Sequence, residues 1–408
     1  KNQRLDIEFA ITEKDVVIFQ VRPLTAINKI CTDKIFQYVK QEINKNKKKF
    51  EKILNQNSKT KSIIFSNMTD WNPAEIIGEN PKNLDYSLYD FLIMKNSWSR
   101  GRVVLGYNEV QEPLMVNFSG RPYVNVQASF ESLIPKIIFP KYKRKILEYY
   151  FDKLQKNPYL HDKVEFEILF TCYDFSINNR LEELVNYGLT KKDIKIIQGQ
   201  LLDFTNNLIR KTPLILKEVE KSLEKLELKR KENNILNMNY SGKLKNAQEL
   251  LVSCRDLGAT YFSSIARLAF IATILLKTIS NVSTITKDEI NQIMNSIETP
   301  VSKFQKDLIK LNKKKISRKE FLTKYGHLRP GTYDITIQRY DNMPKIIESF
   351  QSLSFKKSST NLIDKISKNI EKELIKHGLV FNDISFSNFI INTISLREKV
   401  KFEFTKSL

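Results

Sequence analysis

At 408 residues the chain has room for two or three domains with ample cores. Hydrophobic residues at 41% and aromatics at 11% exclude a disordered chain, and 11 Gly with 12 Pro are too few for a turn-rich β architecture. Lysines and arginines number 67 against 46 acids, a formal charge of +21, but they are spread along helical segments among Asn, Ile and Glu. That spread reads as general surface charge, so nucleic acid is not the expected partner.

Two short runs, Leu5–Ile11 and Val16–Pro23, alternate with period 2 around a polar break at 12–15, which predicts a β-hairpin. With the pairing centred on Lys14, Asp6 lies opposite Arg22 and Glu8 opposite Gln20. Positions i and i+2 share a face, so the four polar groups fall on one side. The same register stacks Ile7, Phe9 and Ile11 against Val21, Phe19 and Val17 on the other. Two carboxylates at this spacing suit a divalent cation that still holds phosphate oxygens, and the arginine suits a nucleotide phosphate. An amphipathic hairpin with surface ion pairs accounts for the same residues.

Residues 34–56 are lysine-rich, with Ile35, Phe36, Val39, Ile43, Phe50, Ile53 and Leu54 at helical spacing, and predict an exposed connector helix. A strand-like 63–65 follows. Asn72 is placed to cap a helix with Pro73 at its first position and Gly78 at its stop. An apolar helix is expected over 86–98. A second hairpin is expected from 114–118 and 123–126 around a turn at 119–122. Beyond 136 the pattern is helical, near 136–156, 178–187, 190–211, 213–232, 243–280, 286–298, 300–313, 317–325, 343–352, 360–377 and 395–407. One strand is expected at 164–170. Glu and Lys alternate over 216–231, the pattern of a solvated helix face.

The longest apolar stretch, 268–276, lies between Arg267 and Lys277 and is too short to cross a bilayer. It predicts a buried helix and no membrane partner. Cys31, Cys172 and Cys254 are far apart and form no Cys-x-x-Cys pair, which argues against a zinc site or disulfide framework and fits a reducing, cytoplasmic setting. The expected fold class is α+β, predominantly α-helical, with short antiparallel hairpins near the N-terminus and a large helix-rich domain after them.

Three segments carry a family resemblance. Asp6-x-Glu8-Phe9-Ala10, a short gap, then Gln20-Val21-Arg22-Pro23-Leu24-Thr25 resembles the closing strands of the ATP-grasp domain in the phosphoenolpyruvate synthase, pyruvate phosphate dikinase and rifampicin phosphotransferase family. The resemblance implies that Asp6 and Glu8 hold Mg²⁺ and that Asp6, Glu8, Gln20 and Arg22 bind ATP. Asp70-Trp71-Asn72-Pro73-Ala74-Glu75-Ile76-Ile77-Gly78 and the run from Pro113 to Val126 are similar to the central region of the same family. Taken physically, Glu75 is stabilised by a helix N-terminus, and Arg121 either braces a turn or reaches an anionic ligand.

The third segment is Tyr325-Gly326-His327-Leu328-Arg329-Pro330-Gly331-Thr332-Tyr333-Asp334-Ile335, followed by Arg339-Tyr340-Asp341. It is a Gly- and Pro-punctuated loop after a helix, dense in hydrogen-bonding side chains. It resembles the Tyr-Gly-His-Arg-type loop of the family's substrate domain, although Thr332 stands where many relatives carry an acid. His327, Arg329 and Arg339, with Arg121, are the candidate substrate residues for an anion or phosphorylated intermediate. None of His161, His327 and His377 lies in the family's Thr/Ser-Ser-His carrier motif, so no catalytic residue is assigned. A Gly-rich phosphate loop, Gly-x-Ser-x-Gly and His-Glu-x-x-His are all missing from the sequence.

These resemblances divide the chain into 1–27, the closing ATP-grasp strands; 28–62, a linker helix; and 63–408, a helix-rich substrate-side domain expected to be incomplete at its C-terminus. They imply part of an ATP-dependent dikinase-type phosphotransferase. In that chemistry ATP is cleaved to AMP and phosphate through a phosphohistidine, and the phosphoryl group passes to pyruvate or another small acceptor. ATP and Mg²⁺ are the expected cofactors. The expected partners are a small-molecule acceptor and the remaining ATP-grasp and phosphohistidine domains of the same polypeptide; the chain alone is expected to be inactive. The alternative is a basic helical binding or scaffold module without catalysis.

Overall fold

The computed structural model describes residues 5–11, 15–23, 33–56, 63–95, 97–232, 239–343 and 370–408, without the side chains of residues 5, 6, 22, 23 and 56. The chain forms two compact units, 1–61 and 62–408. It is α+β and predominantly helical, with one two-stranded and one three-stranded antiparallel sheet.

The first unit holds β1 (Leu5–Ile11), β2 (Val16–Pro23) and the helix α1 (Asp33–Gln56). Asp6 pairs with Arg22, Ile7 with Val21 and Glu8 with Gln20. A bulge then intervenes, so Phe9 pairs with Ile18, Ala10 with Val17 and Ile11 with Val16. The expected stacking of Phe9 on Phe19 and Ile11 on Val17 is thereby corrected: Phe19 is the extra residue that a bulge inserts into one strand. Ile7, Phe9, Val17, Phe19 and Val21 are all at least 42% exposed. Along α1, Phe36, Tyr38, Val39 and Ile43 are exposed as well.

The second unit opens on β3 (Phe65–Ser66). The next helix, α2 (Pro73–Ile77), has its N-terminus capped by Asn72, whose side chain accepts from the Glu75 amide at 3.0 Å. Gly78 ends it at φ 87°, a conformation that costs glycine nothing. The helix expected over 86–98 is instead α3 (Asn83–Tyr89), a π turn at Asp90–Met94, and a separate α4 (Ser97–Val104). β4 (Met115–Phe118) and β5 (Arg121–Asn125) join through Ser119 and Gly120, both at positive φ. Two such residues twist the chain as a tight hairpin requires. β5 lies between β3 and β4.

The helices that follow are α5 (Val126–Ser132), α6 (Pro140–Lys156), α7 (Val164–Glu167), α8 (Ile177–Glu182) and α9 (Lys191–Lys231). The strand expected at 164–170 is not formed. Val164–Glu167 is a helical turn that buries Val164 and Glu165, and Ile168, Leu169 and Phe170 continue irregularly into the core. α9 also departs from expectation, because it runs unbroken through Pro213. Leu208, Ile209 and Thr212 before the proline and Val219, Leu223 and Leu226 after it are all buried, and this continuous contact offsets the hydrogen bond that proline cannot donate.

α10 (Tyr240–Ser253) and α11 (Thr260–Thr278) are joined by a π turn at Cys254–Ala259. They are followed by α12 (Lys287–Ser296), α13 (Pro300–Asn312), α14 (Arg318–Tyr325), α15 (370–376) and α16 (Phe386–Thr405). The last helix begins nine residues before the expected 395, capped by Ser385. Residues 344–352 of the expected 343–352 segment, 360–369 of the expected 360–377 segment, and Cys31 lie outside the described residues. Cys172 and Cys254 are buried free thiols.

α11 is the central rod of the second unit, packed against α4, α9 and α16. At Gly258 a Cβ would sit 2.5 Å from the Cβ of Phe404, so glycine lets α16 approach this closely. The span Tyr240–Asn281 is the one helix among the described residues long and apolar enough to cross a membrane, and 67% of its most apolar window is buried in the protein. A small satellite core of Leu308, Phe321 and Tyr325 lies under α13 and α14.

Candidate functional site

In the first unit the register makes Asp6 and Arg22 direct cross-strand partners, and likewise Glu8 and Gln20. All four positions precede the bulge, so pleat alternation keeps them on one face. Glu8 and Gln20 are exposed. No group of three or more His, Cys, Asp or Glu side chains converges as a metal centre among the described residues.

The remaining sequence-derived residues lie in the second unit. Arg121 starts β5 and its Nε donates to Asn80 Oδ1 at 3.0 Å, a surface brace. His327, Arg329 and Arg339 come together in the loop after α14. That loop closes on itself through the Tyr340 amide to Leu328 O at 2.8 Å and the Asp341 amide to Gly326 O at 3.1 Å. It is tied down by Lys82, which donates to Asp334 at 2.7 Å and to Thr336 at 2.9 Å. Tyr333 is buried edge-on against Tyr89.

The His327 ring sits edge-on to Phe402, 4.8 Å away, and its Nε2 is buried without a hydrogen-bond partner among the described residues. Burial pushes its pKa down to about 4, and the charges of Lys406, Arg339 and Arg230 add to the fall. The imidazole is therefore neutral at pH 7 in a strongly cationic neighbourhood. Arg339 is paired with Asp341 at 2.5 Å, yet the Nε of Arg329 and of Arg339 are buried without partners among the described residues. Unpaired guanidinium N–H groups around a neutral imidazole favour an oxyanion.

Beside this loop runs a cleft of about 530 Å³ between α13, α14 and α16, lined by Lys303, Lys306, Lys310, Lys324, Lys399 and Lys406. Its acids, Glu298, Asp307 and Glu403, are half as many. Asp307 accepts from Lys310, Lys324 and the Tyr325 hydroxyl, and these contacts outweigh its burial and hold its carboxyl below the usual range.

A second polar site has no counterpart in the sequence reading. Asp70, Arg102, Glu165 and Arg267 come from four separate segments and meet in the core between α4, α7 and α11. Arg102 is 1% exposed; its Nη2 donates to Asp70 and its Nη1 to Ser132. Asp70 also accepts from Thr69 at 3.1 Å and Ser129 at 3.2 Å. Arg267 is 5% exposed and donates from Nη1 to Glu165. Loss of water pushes the Glu165 carboxyl up to about 7 against the pull of Arg267, with Asp70 adding to the rise.

The sequence signal that marks this site is Arg267 itself. Between Asp256 and Lys277 it is the only charged residue, in the middle of an otherwise uncharged helix. A lone charge facing a core needs a built partner.

No family model, curated protein or solved structure matches the chain.

Proposed function

We propose that this chain contributes the metal–nucleotide edge and the acceptor-side domain of an ATP-dependent, dikinase-type phosphotransferase. The observation that carries the reading is the register of the first hairpin, which makes Asp6–Arg22 and Glu8–Gln20 cross-strand pairs on one face. Two carboxylate positions beside an amide and a guanidinium fit a Mg²⁺ ion that takes its other ligands from water and phosphate oxygens. When bound, the ion neutralises charge developing on the transferred phosphoryl group. The chain's own part is to place acids for the metal and Arg22 for the nucleotide phosphates. The exposed apolar side chains of the hairpin are the surface that the rest of a nucleotide-binding domain in the same polypeptide would cover.

On the acceptor side, the neutral His327 and the unpaired Nε groups of Arg329 and Arg339 suit an anionic acceptor or phosphorylated product. No histidine here carries the phosphoryl group in this reading, so the chain alone is expected not to turn over. Calorimetric titration with Mg²⁺ and a non-hydrolysable ATP analogue tests the proposal. Saturable, Mg²⁺-dependent binding that Glu8→Gln weakens about tenfold or more supports it; binding that ignores both the metal and Glu8 counts against it.

A second reading, a basic binding module without catalysis, is favoured by one observation: lysines outnumber acids two to one in the α13–α14–α16 cleft. It predicts polyanion binding that falls steeply with salt.

A further inference from the structure

The buried quartet borders a cavity of about 300 Å³ whose floor is Asp70, Arg102, Glu165 and Arg267. Trp98, Phe262 and Phe270 form its apolar walls, and Arg397, Glu398 and Lys401 of α16 form its rim. The floor is sealed by protein, whereas Lys401 is exposed and Arg397 is about a third exposed, so the cavity opens along α16.

Arg267 is the unusual member. Its Nη1 is used on Glu165, and its Cζ lies 4.2 Å from the centre of the Phe270 ring. Its Nε and Nη2 are buried and have no hydrogen-bond partner among the described residues. Those two N–H groups form the side-on fork of a guanidinium, the edge that takes both oxygens of a carboxylate or two of a phosphate. The Trp98 indole N–H, on the same cavity, is also buried and unpartnered. Arg102 is different, because both of its terminal nitrogens are committed to Ser132 and Asp70. Arg102 thus spends both terminal nitrogens on protein partners, whereas Arg267, which also lines the cavity, keeps two buried N–H groups unpaired among the described residues. A buried donor left without a partner is unfavourable, which argues for a ligand at the fork.

Charge and shape narrow the class. Arg102, Arg267, Arg397 and Lys401 outnumber Asp70, Glu165 and Glu398, and burial of the Glu165 carboxyl adds to the positive excess. An anionic ligand offsets that excess. Three aromatic side chains lining the cavity, of which Phe270 lies against the Arg267 guanidinium, favour a ligand with a flat apolar body over a fully hydrated ion. We infer that this cavity binds a small organic monocarboxylate, its carboxylate on the Arg267 fork and its apolar body against Trp98, Phe262 and Phe270. The inference is independent of the hairpin and of the His327 loop.

Titration of the full chain with benzoate, followed by calorimetry and by tryptophan emission, tests it, with benzamide and inorganic phosphate as comparison probes. Benzoate is expected to bind saturably and change the emission of Trp98, and Trp98→Phe removes that change. Benzamide and phosphate are each expected to bind about tenfold more weakly or worse. Arg267→Lys keeps the charge beside Glu165 but loses the fork, and is expected to weaken benzoate about tenfold. Arg397→Gln, at the partly exposed rim, is expected to weaken it a few-fold without changing the melting temperature. No saturable benzoate binding, equal binding of benzamide, tighter binding of phosphate, or unchanged affinity in Arg267→Lys overturns the inference. Should Arg267→Lys fail to fold, the benzoate–benzamide comparison on the unaltered chain decides.

Discussion

Arg102 and Asp70 form an ion pair sealed from solvent, with side chains only 2% and 5% exposed. It joins α4 to the loop before α2, and Thr69, Ser129 and Ser132 complete its hydrogen bonds. Removing one partner strands the other charge in the core. Asp70→Asn or Arg102→Met is therefore expected to lower stability by about 3–5 kcal/mol. The double variant Asp70→Asn, Arg102→Met is expected to lose less than the sum of the two. Urea denaturation of the three variants measures this, and strictly additive losses contradict the pairing.

The same helix crosses α11 at Gly101. A Cβ there would lie 2.5 Å from the Ser263 Cβ and 2.8 Å from the Ser264 backbone nitrogen. Ser263 and Ser264 donate to the carbonyls of Trp98 and Gly101 at 2.7 and 3.0 Å across the contact, so neither helix can retreat without losing bonds. Gly101→Ala is expected to cost about 1–3 kcal/mol through overpacking. Adding Ser263→Gly is expected to restore part of that loss, since it removes the atom met first. A Gly101→Ala melting temperature equal to that of the unaltered chain rules out the close crossing.

His327 gives stability a pH dependence of defined sign. Its pKa is held down at about 4, against 6.5 for an unperturbed histidine. Between those values the unfolded chain binds more protons than the native one, so stability rises with pH across this window. The contribution is complete above pH 6.5 and is lost as pH falls through 4. The melting temperature is expected to drop more steeply from pH 6.5 to 4 than in His327→Gln. Parallel curves for the two proteins contradict the buried, cation-flanked placement.

Local rules carried much of the fold. Asn72 and Pro73 announce α2 because a cap and a fixed φ act within one turn. The hairpin expected from 114–118 and 123–126 is readable because alternation and turn residues are local as well, although β5 begins at Arg121, inside the expected 119–122 turn. The Asp6–Arg22 register follows from period 2, but Phe9 and Phe19 slip past each other, because a bulge depends on backbone twist and not on composition. Pro213 looks like a helix break to any local rule; packing on both sides of it overrides that rule. The 164–170 run is apolar enough for a strand, yet Glu165 has to meet Arg267, and that requirement is tertiary. The quartet was hidden for the same reason, since Asp70, Arg102, Glu165 and Arg267 are strangers in sequence. His327, Arg329 and Arg339 could be grouped in advance because they share one loop, whereas Arg121 starts β5 and is bonded to Asn80.

The proposed phosphotransfer role requires that the face carrying Asp6, Glu8, Gln20 and Arg22 meet a metal-bound nucleotide. Hydrogen–deuterium exchange of the 5–23 amides tests it most directly, with and without Mg²⁺ and a non-hydrolysable ATP analogue. Slower exchange in both strands only when metal and nucleotide are present together is the expected result. Exchange in this hairpin that stays the same under all conditions contradicts the claim.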